Sequence, residues 1–228
     1  MDFATLKATV AENVKGHRIN LAQNALGRVV NRALEFVVNH VEQSAKFYNI
    51  ATSPVTISVV LGTTTYQVSS SSVKIRKIQF AERTDIGGGV PISVVIIPYQ
   101  EKNRFSGGWP IEDVGVNRLR PVVYFQRERD GAWYMRFPRD PSGTMTIKVY
   151  YIPLITELDL DADEPTEVPE QHHDLIAMRA TKLVLNQYGK KADVWDVNYR
   201  ELLNLMMIDL ETWNRTGPRV RALHVNHA

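Results

Sequence analysis

The feature that most constrains the fold is a pair of helical apolar patterns in residues 167–213. In the first segment, the residues at helical spacing are Leu175, Ile176, Ala180, Leu183, Val184 and Tyr188. Pro169 suits the first helical position and Gly189 suits a helix end. In the second segment, the apolar stripe comprises Trp195, Tyr199, Leu202, Met206, Leu210 and Trp213. The sequence therefore predicts two consecutive amphipathic helices.

The second stripe is wider than one partner helix covers. It is broadened by Leu203, Leu205, Met207 and Ile208. Such a stripe is typical of either a buried core helix or a subunit interface. We assign the interface to Trp195, Tyr199, Met206, Leu210 and Trp213.

The first part of the chain is also predicted to be helical. Leu6, Val10 and Val14 lie on one face of a short helix that ends near Gly16. Asn20 suits the cap of a second helix, which has many apolar residues and few charges. We expect this second helix to be buried against the C-terminal helices.

The chain becomes β-like after Thr52. Short alternating segments are separated by turn residues and lie at 55–61, 65–68, 73–80, 92–97, 122–126, 132–137 and 144–151. The first two segments flank Gly62 and read as a hairpin, and Asp130-Gly131 marks a second one. These patterns predict an antiparallel β domain.

The predicted fold class is α+β, a helical bundle from both ends of the chain with an inserted β domain. Residues 1–50 with 168–213 are expected to form the helical domain and residues 52–154 the β domain. Residues 155–167 are expected to be an acidic linker, and residues 214–228 an extended C-terminal arm.

The acidic residues of the linker invite a metal-site hypothesis. The acids in 157–170 are Glu157, Asp159, Asp161, Asp163, Glu164, Glu167 and Glu170, with no Lys or Arg among them. The segment lacks the glycine and closing glutamate of an EF-hand. His172 and His173 are adjacent on a helix and so point about 100° apart. We therefore expect no metal, with Asp159, Asp161 and Asp163 exposed.

Composition and motifs argue against several function classes. The chain contains no Cys and has a formal net charge of +2, which indicates neither a disulfide scaffold nor a strongly basic DNA binder. We find no nucleophile elbow, phosphate-binding loop or dinucleotide fingerprint. We expect no enzymatic activity and no cofactor. We also expect no signal peptide or membrane span, and folding in the cytoplasm.

Two further segments are candidate contact sites. The final residues contain Arg215, Arg219, Arg221 and Leu223. Gly217-Pro218 ends the preceding helix, so this arm is expected to extend and dock on a partner. Trp109, in an irregular glycine-rich loop, is a candidate loop contact. The alternative for this tryptophan is a lid over the sheet edge.

Several motifs follow one another along the chain. They are Asn31-Arg32-Ala33, Thr65-Tyr66 after Gly62, Phe137-Pro138 before Asp140-Pro141, Tyr150-Tyr151-Ile152-Pro153-Leu154, the acidic linker from Glu157, Val168-Pro169, His173-Asp174-Leu175-Ile176, and the helix from Tyr199 to Trp213. The order of these motifs resembles that in the phage head–tail adaptor proteins, also called head-completion or head-to-tail connector proteins. The tail tubular proteins of short-tailed phages are a close variant. One departure is Val68-Ser69, where the family often has Leu-Pro.

This resemblance implies a dodecameric ring at the head–tail junction of the virion. The ring would dock on the portal protein and extend the DNA channel to a downstream tail or nozzle protein. The C-terminal arm would contact the portal, and DNA would pass through without sequence-specific binding.

Two other function classes remain as alternatives. One is a virion-associated cell-wall hydrolase. The other is a DNA-binding module using the basic clusters Lys74-Ile75-Arg76-Lys77 and Arg118-Leu119-Arg120. Turnover of a cell-wall polymer would favour the hydrolase, and a steep salt dependence of duplex binding would favour the module.

Overall fold

A computed structural model describes residues 1–45, 48–85, 90–105, 111–112, 119–141 and 143–216, the side chains of 104–105, 111–112, 119 and 213–216 excepted. The described chain divides into two compact units. One, here called the helical unit, contains Met1–Asn49 and the chain from Ile155 onward. The other, Ile50–Leu154, is called the β unit. The fold is α+β, as the sequence predicted.

The helices are α1 (Phe3–Lys15), α2 (Gln23–Ser44), α3 (Lys102–Phe105), α4 (Asp174–Gln187) and α5 (Asp193–Thr216), with 3₁₀ turns at Tyr99–Glu101 and Glu170–His172. The strands are β1 (Val55–Val59), β2 (Thr65–Gln67), β3 (Ile75–Arg83), β4 (Ile92–Ser93), β5 (Val95–Ile96), β6 (Ile111–Glu112), β7 (Leu119–Arg120), β8 (Val122–Arg127), β9 (Trp133–Arg136) and β10 (Met145–Pro153).

The first helix buries the face that its periodicity predicts. On α1 the buried residues include Leu6, Val10 and Val14. Asp2 caps this helix, because its carboxylate accepts the N–H of Thr5 at 2.8 Å. The cap predicted for α2 at Asn20 is wrong. The helix begins two residues after the expected start, with Ala22 at the N-cap and no side-chain hydrogen bond there.

The two C-terminal helices differ in detail from the prediction. A 3₁₀ turn precedes α4, so Pro169 caps this turn and does not open the α-helix. Gly189 adopts φ +64° and ends the helix as expected, and the N–H of Lys190 donates to the carbonyl of Leu185 at 2.9 Å. Tyr188 was expected on the apolar face but is largely exposed. In the described part of the chain, no helix is long and apolar enough to cross a membrane.

The β unit contains two four-stranded sheets and the short β6–β7 pair. The first sheet has the order β1-β10-β3-β4 and the second β2-β9-β8-β5. The neighbouring strands are antiparallel except for β5 and β8, which are parallel. Residues from both sheets, among them Ile57, Met135 and Ile147, form one buried cluster.

Two strand predictions in this unit are wrong for the same reason. β1 and β2 were expected to pair as a hairpin, but β1 pairs with β10 and β2 with β9. The single strand predicted at 92–97 is divided between β4 and β5, which belong to different sheets. Because the chain changes sheets at these points, neighbours in sequence are not partners in the ladder. The Asp130-Gly131 turn does join β8 and β9, with Gly131 at φ +85°.

Replacing Asp85 with asparagine is expected to destabilise the β unit. Arg83 donates to both carboxylate oxygens of Asp85 at 2.9 Å, and the N–H of Thr146 donates to Oδ1 at 3.2 Å. The Arg83 hydrogen bonds lower the pKa of Asp85 to about 2. The carboxylate therefore stabilises the fold above about pH 4 and loses this contribution as the pH falls toward 2.

We expect Asp85→Asn to lower the free energy of unfolding by about 1 kcal/mol at pH 7. The stability of this variant should also fall less than that of the wild type as the pH drops from 4 to 2. Thermal unfolding between pH 2 and 7 measures both effects. Asp140→Asn serves as the control, because Asp140 is exposed and has no side-chain partner among the described residues. The prediction is contradicted if Asp85→Asn loses as much stability at low pH as the wild type does.

Candidate subunit interface

The inner face of α5 completes the core of the helical unit. Tyr199, Met206 and Leu210 are 4%, 0% and 2% exposed and pack into a cluster with residues of α1, α2 and α4. Trp195 packs against the same cluster and is partly buried. We therefore assign Tyr199, Met206 and Leu210 to the core in place of the subunit surface that the sequence predicted. Side chains enclosed within one chain have no area left for a neighbour.

The outer face of α5 carries a second set of apolar residues. Val194, Val197, Leu205 and Ile208 are 71%, 56%, 54% and 60% exposed. At 100° per residue, these four positions fall within about 80° of one another and roughly opposite Tyr199, Met206 and Leu210. We call these four residues the outer stripe. In the sequence, Leu205 and Ile208 widen the stripe that contains Met206 and Leu210, but in the structure they lie on the other face of the helix. A helical projection of all the apolar residues separates the two faces.

A polar contact connects the first turn of α5 to α4. Lys182 of α4 donates to Asp196 of α5, and Arg200, also on α5, donates to the same carboxylate at 2.8 Å. The hydrogen bond from Lys182 is the main cause that lowers the pKa of Asp196. These contacts hold the first turns of α5 in a fixed orientation, so the outer stripe is presented by a positioned helix.

The two adjacent histidines take part in hydrogen bonds of the helical unit. His172 Nε2 lies 3.0 Å from Asp209 Oδ2 on α5. His173 Nε2 lies 3.0 Å from the carbonyl oxygen of Val168, to which it donates. Within the described ranges, no group of three His, Cys, Asp or Glu residues could hold a metal ion. The histidines therefore connect the 3₁₀ turn to its surroundings.

Residues 157–170, here called the acidic segment, form hydrogen bonds with α1 and α2 of the helical unit. The amide of Asn31 on α2 exchanges hydrogen bonds with the backbone of Leu158, each 3.0 Å. The carbonyls of Asp161 and Asp163 accept the N–H groups of Ala4 and Phe3, which lie in the first turn of α1. Lys7 also pairs with the carboxylate of Asp161 at 2.6 Å.

Asp163 departs from the expected exposure. Its side chain is partly buried, whereas those of Asp159 and Asp161 are exposed. Its carboxylate accepts the N–H groups of Asp159 and Leu160, each at 2.8 Å, and these bonds lower the pKa of Asp163. The aspartate therefore closes a turn within the segment, which explains its partial burial.

Several predicted contact residues lie outside the described residues. These are Trp109, Arg219, Arg221 and Leu223. Trp213 and Arg215 lie within α5, but their side chains are not described. The helix continues to Thr216, so residues 214–216 are helical where the sequence predicted an extended arm.

Comparison with known families gives a match over nearly the whole chain. The family model described as SU10 adaptor protein matches residues 1–222. The chain belongs to this family. A search of curated proteins found no match. Membership in the SU10 adaptor family supports a structural role in a phage and implies an oligomeric assembly with portal and tail partners.

Tyr199 yields a testable prediction for this adaptor. Burial raises the pKa of Tyr199 to about 12, and its hydroxyl has no hydrogen-bond partner among the described residues. Because burial penalises the phenolate, Tyr199 costs no stability by ionisation below about pH 10, and the fold loses stability as the pH rises from there toward 12. We expect Tyr199→Phe to retain or gain stability at pH 7, because it removes an unpaired buried hydroxyl. Above pH 10 its stability should fall less steeply.

Tyr66→Phe is the control for this measurement. The Tyr66 hydroxyl accepts the N–H of Val60 at 2.8 Å and donates to its carbonyl at 3.1 Å. Its removal should cost about 1 kcal/mol at pH 7. Calorimetric unfolding from pH 7 to 12 compares the two variants. A loss of stability in Tyr199→Phe as large as that in Tyr66→Phe contradicts the prediction.

Proposed function

We propose that this adaptor forms a ring at the head–tail junction of the virion, docks on the portal protein and extends the DNA channel toward the tail. The proposal rests on membership in the SU10 adaptor family. The single structural observation that carries it is the outer stripe, an apolar surface on a helix whose opposite face is already buried. Exposed apolar residues grouped on one face are typical of protein–protein contacts.

The outer stripe, which lies on one face of α5, supports the proposed ring arrangement. In a closed ring, one face of a subunit meets a different face of the next, so the contact is heterologous. The stripe supplies the apolar part of one such face. We propose that twelve copies close the ring, as the resemblance to head–tail adaptors implies.

The other parts of the proposal concern partners and chemistry. The ring would contact the portal above and a tail or nozzle protein below, and DNA would pass through without sequence-specific binding. We propose a purely structural, non-enzymatic role, since the family is an adaptor family. The subunit would fold in the host cytoplasm before assembly.

Replacing Leu205 and Ile208 together with aspartate is expected to abolish ring formation. Both side chains are mostly exposed, so the subunit should fold while two charges oppose burial of the stripe. Particle mass, measured for the protein alone and with its portal, should shift from the assembled ring to single subunits. Circular dichroism and thermal unfolding verify that the variant is folded.

Leu61→Asp is the matched control, since Leu61 is 68% exposed in the loop after β1 and lies in the β unit. This variant should assemble as the wild type does. Normal assembly of the folded Leu205→Asp, Ile208→Asp variant would show that the outer stripe is not the subunit contact.

Removing the residues after Thr216 is expected to weaken binding to the portal. The deleted segment contains Arg219, Arg221 and Leu223, which we propose as the portal-docking arm. The truncation keeps the whole of α5, so folding and the outer stripe should be unaffected. Binding to immobilised portal measures the effect, with the alanine triple variant at these three positions for comparison. Undiminished portal binding by both variants contradicts the arm proposal.

A further inference from the structure

Arg179 on α4 is held between two aromatic side chains of the helical unit. Its guanidinium carbon lies 3.6 Å from the ring centroid of Phe36 on α2 and 5.8 Å from that of Tyr199 on α5. His40 also packs against Phe36, with its ring centroid 4.7 Å from that of Phe36. Contacts on α2 and α5 therefore hold the guanidinium in one place, and little side-chain freedom remains to be lost when it binds a ligand.

Arg179 has no acidic partner in the described part of the chain. Its Nε is buried without a hydrogen bond, whereas its two terminal nitrogens are not among the buried unpaired atoms. Other partly buried cations do pair with carboxylates, as Lys7 does with Asp161 and Lys182 with Asp196. A buried donor left unpaired is uncommon in folded proteins and reduces stability. The guanidinium of Arg179 is therefore a positioned cation that can bind a carboxylate from outside the subunit.

The acidic segment offers the complementary charge. Four of its carboxylates are exposed and have no side-chain partner among the described residues: Glu157, Asp159, Glu164 and Glu170. The sequence between residues 157 and 170 contains no Lys or Arg. Hydrogen bonds from Asn31 and from the first turn of α1 hold this segment in place. It therefore presents its charges from a fixed backbone.

We propose that Arg179 binds a carboxylate from the acidic segment of a second copy of this chain. The inference rests on the proposed ring. It assigns the two faces of the heterologous contact, with the Arg179–Phe36 pair on one subunit and the acidic segment on the next. An arginine fork binds a carboxylate through two parallel hydrogen bonds, which fixes orientation as well as adding affinity. Such pairing also sets the sense of the ring, since like faces repel.

The first test compares Arg179→Gln with Arg179→Lys and with the control Arg32→Gln. Arg32 is exposed on α2 and has no acidic partner in the described ranges. Particle mass is measured against protein concentration, with and without portal. We expect Arg179→Gln to weaken subunit association by on the order of 10- to 100-fold. Arg179→Lys should weaken it less, because it keeps the charge and loses the planar fork. Arg32→Gln should assemble normally.

The second test locates the partner of Arg179. A variant in which Glu157, Asp159, Glu164 and Glu170 are all replaced by their amides alters only exposed side chains, so its subunit should fold. It should weaken association as Arg179→Gln does. The two sets of changes combined should weaken association no more than either does alone, since they remove one interaction. Additive losses overturn the proposal, even if Arg179→Gln also lowers the stability of the subunit.

A third measurement tests whether Arg179 binds a carboxylate of a second copy or a phosphate of DNA. Duplex DNA is titrated against wild type and Arg179→Gln at two salt concentrations. Equal DNA binding by both proteins, together with the assembly defect, supports the carboxylate of a second copy. Loss of DNA binding with assembly intact overturns the proposal in favour of a phosphate contact. Normal rings in Arg179→Gln overturn this inference alone, whereas a wild-type protein that never assembles, even with portal, overturns the proposed ring as well.

Discussion

The burial of α4 against α1, α2 and α5 is the interaction on which the helical unit depends. Leu175, Ile176, Val184 and Leu185 of α4 are almost fully buried, and each contributes roughly 1.5–3 kcal/mol through removal of apolar surface from water. Closing the chain over the roughly 130 residues between α2 and α4 costs about 4 kcal/mol in loop entropy. The shared core more than offsets this cost, so the β unit can be inserted between two halves of one bundle.

The same core determines which surface of α5 is available to a partner. Once Met206 and Leu210 fill the interior, the large apolar residues left exposed on the described part of the helix are the outer stripe and Met207. Asp196, paired with Lys182 and Arg200, keeps this surface in a fixed orientation. The ring that we propose requires such fixed, directional faces, because small errors in orientation accumulate around a closed ring.

Some charged side chains of the helical unit form contacts within the subunit, and others do not. Asp161 and Asp163 are used within the subunit, through Lys7 and through the backbone of the acidic segment. The other exposed acids of the acidic segment have no side-chain partner, and Arg179 has no acidic partner, in the described chain. We propose that these groups meet across the subunit boundary.

The sequence by itself determined the α+β class, the helical face of α1, and the turns at Gly131 and Gly189, because helical periodicity and glycine preference are local. Only the tertiary structure decided which apolar face of α5 is internal, since that depends on what packs against it. It also decided that β1 and β2 join different sheets and that Arg179 rests on Phe36. Strand partners and side-chain neighbours are set by contacts between residues far apart in the chain, which no local pattern encodes.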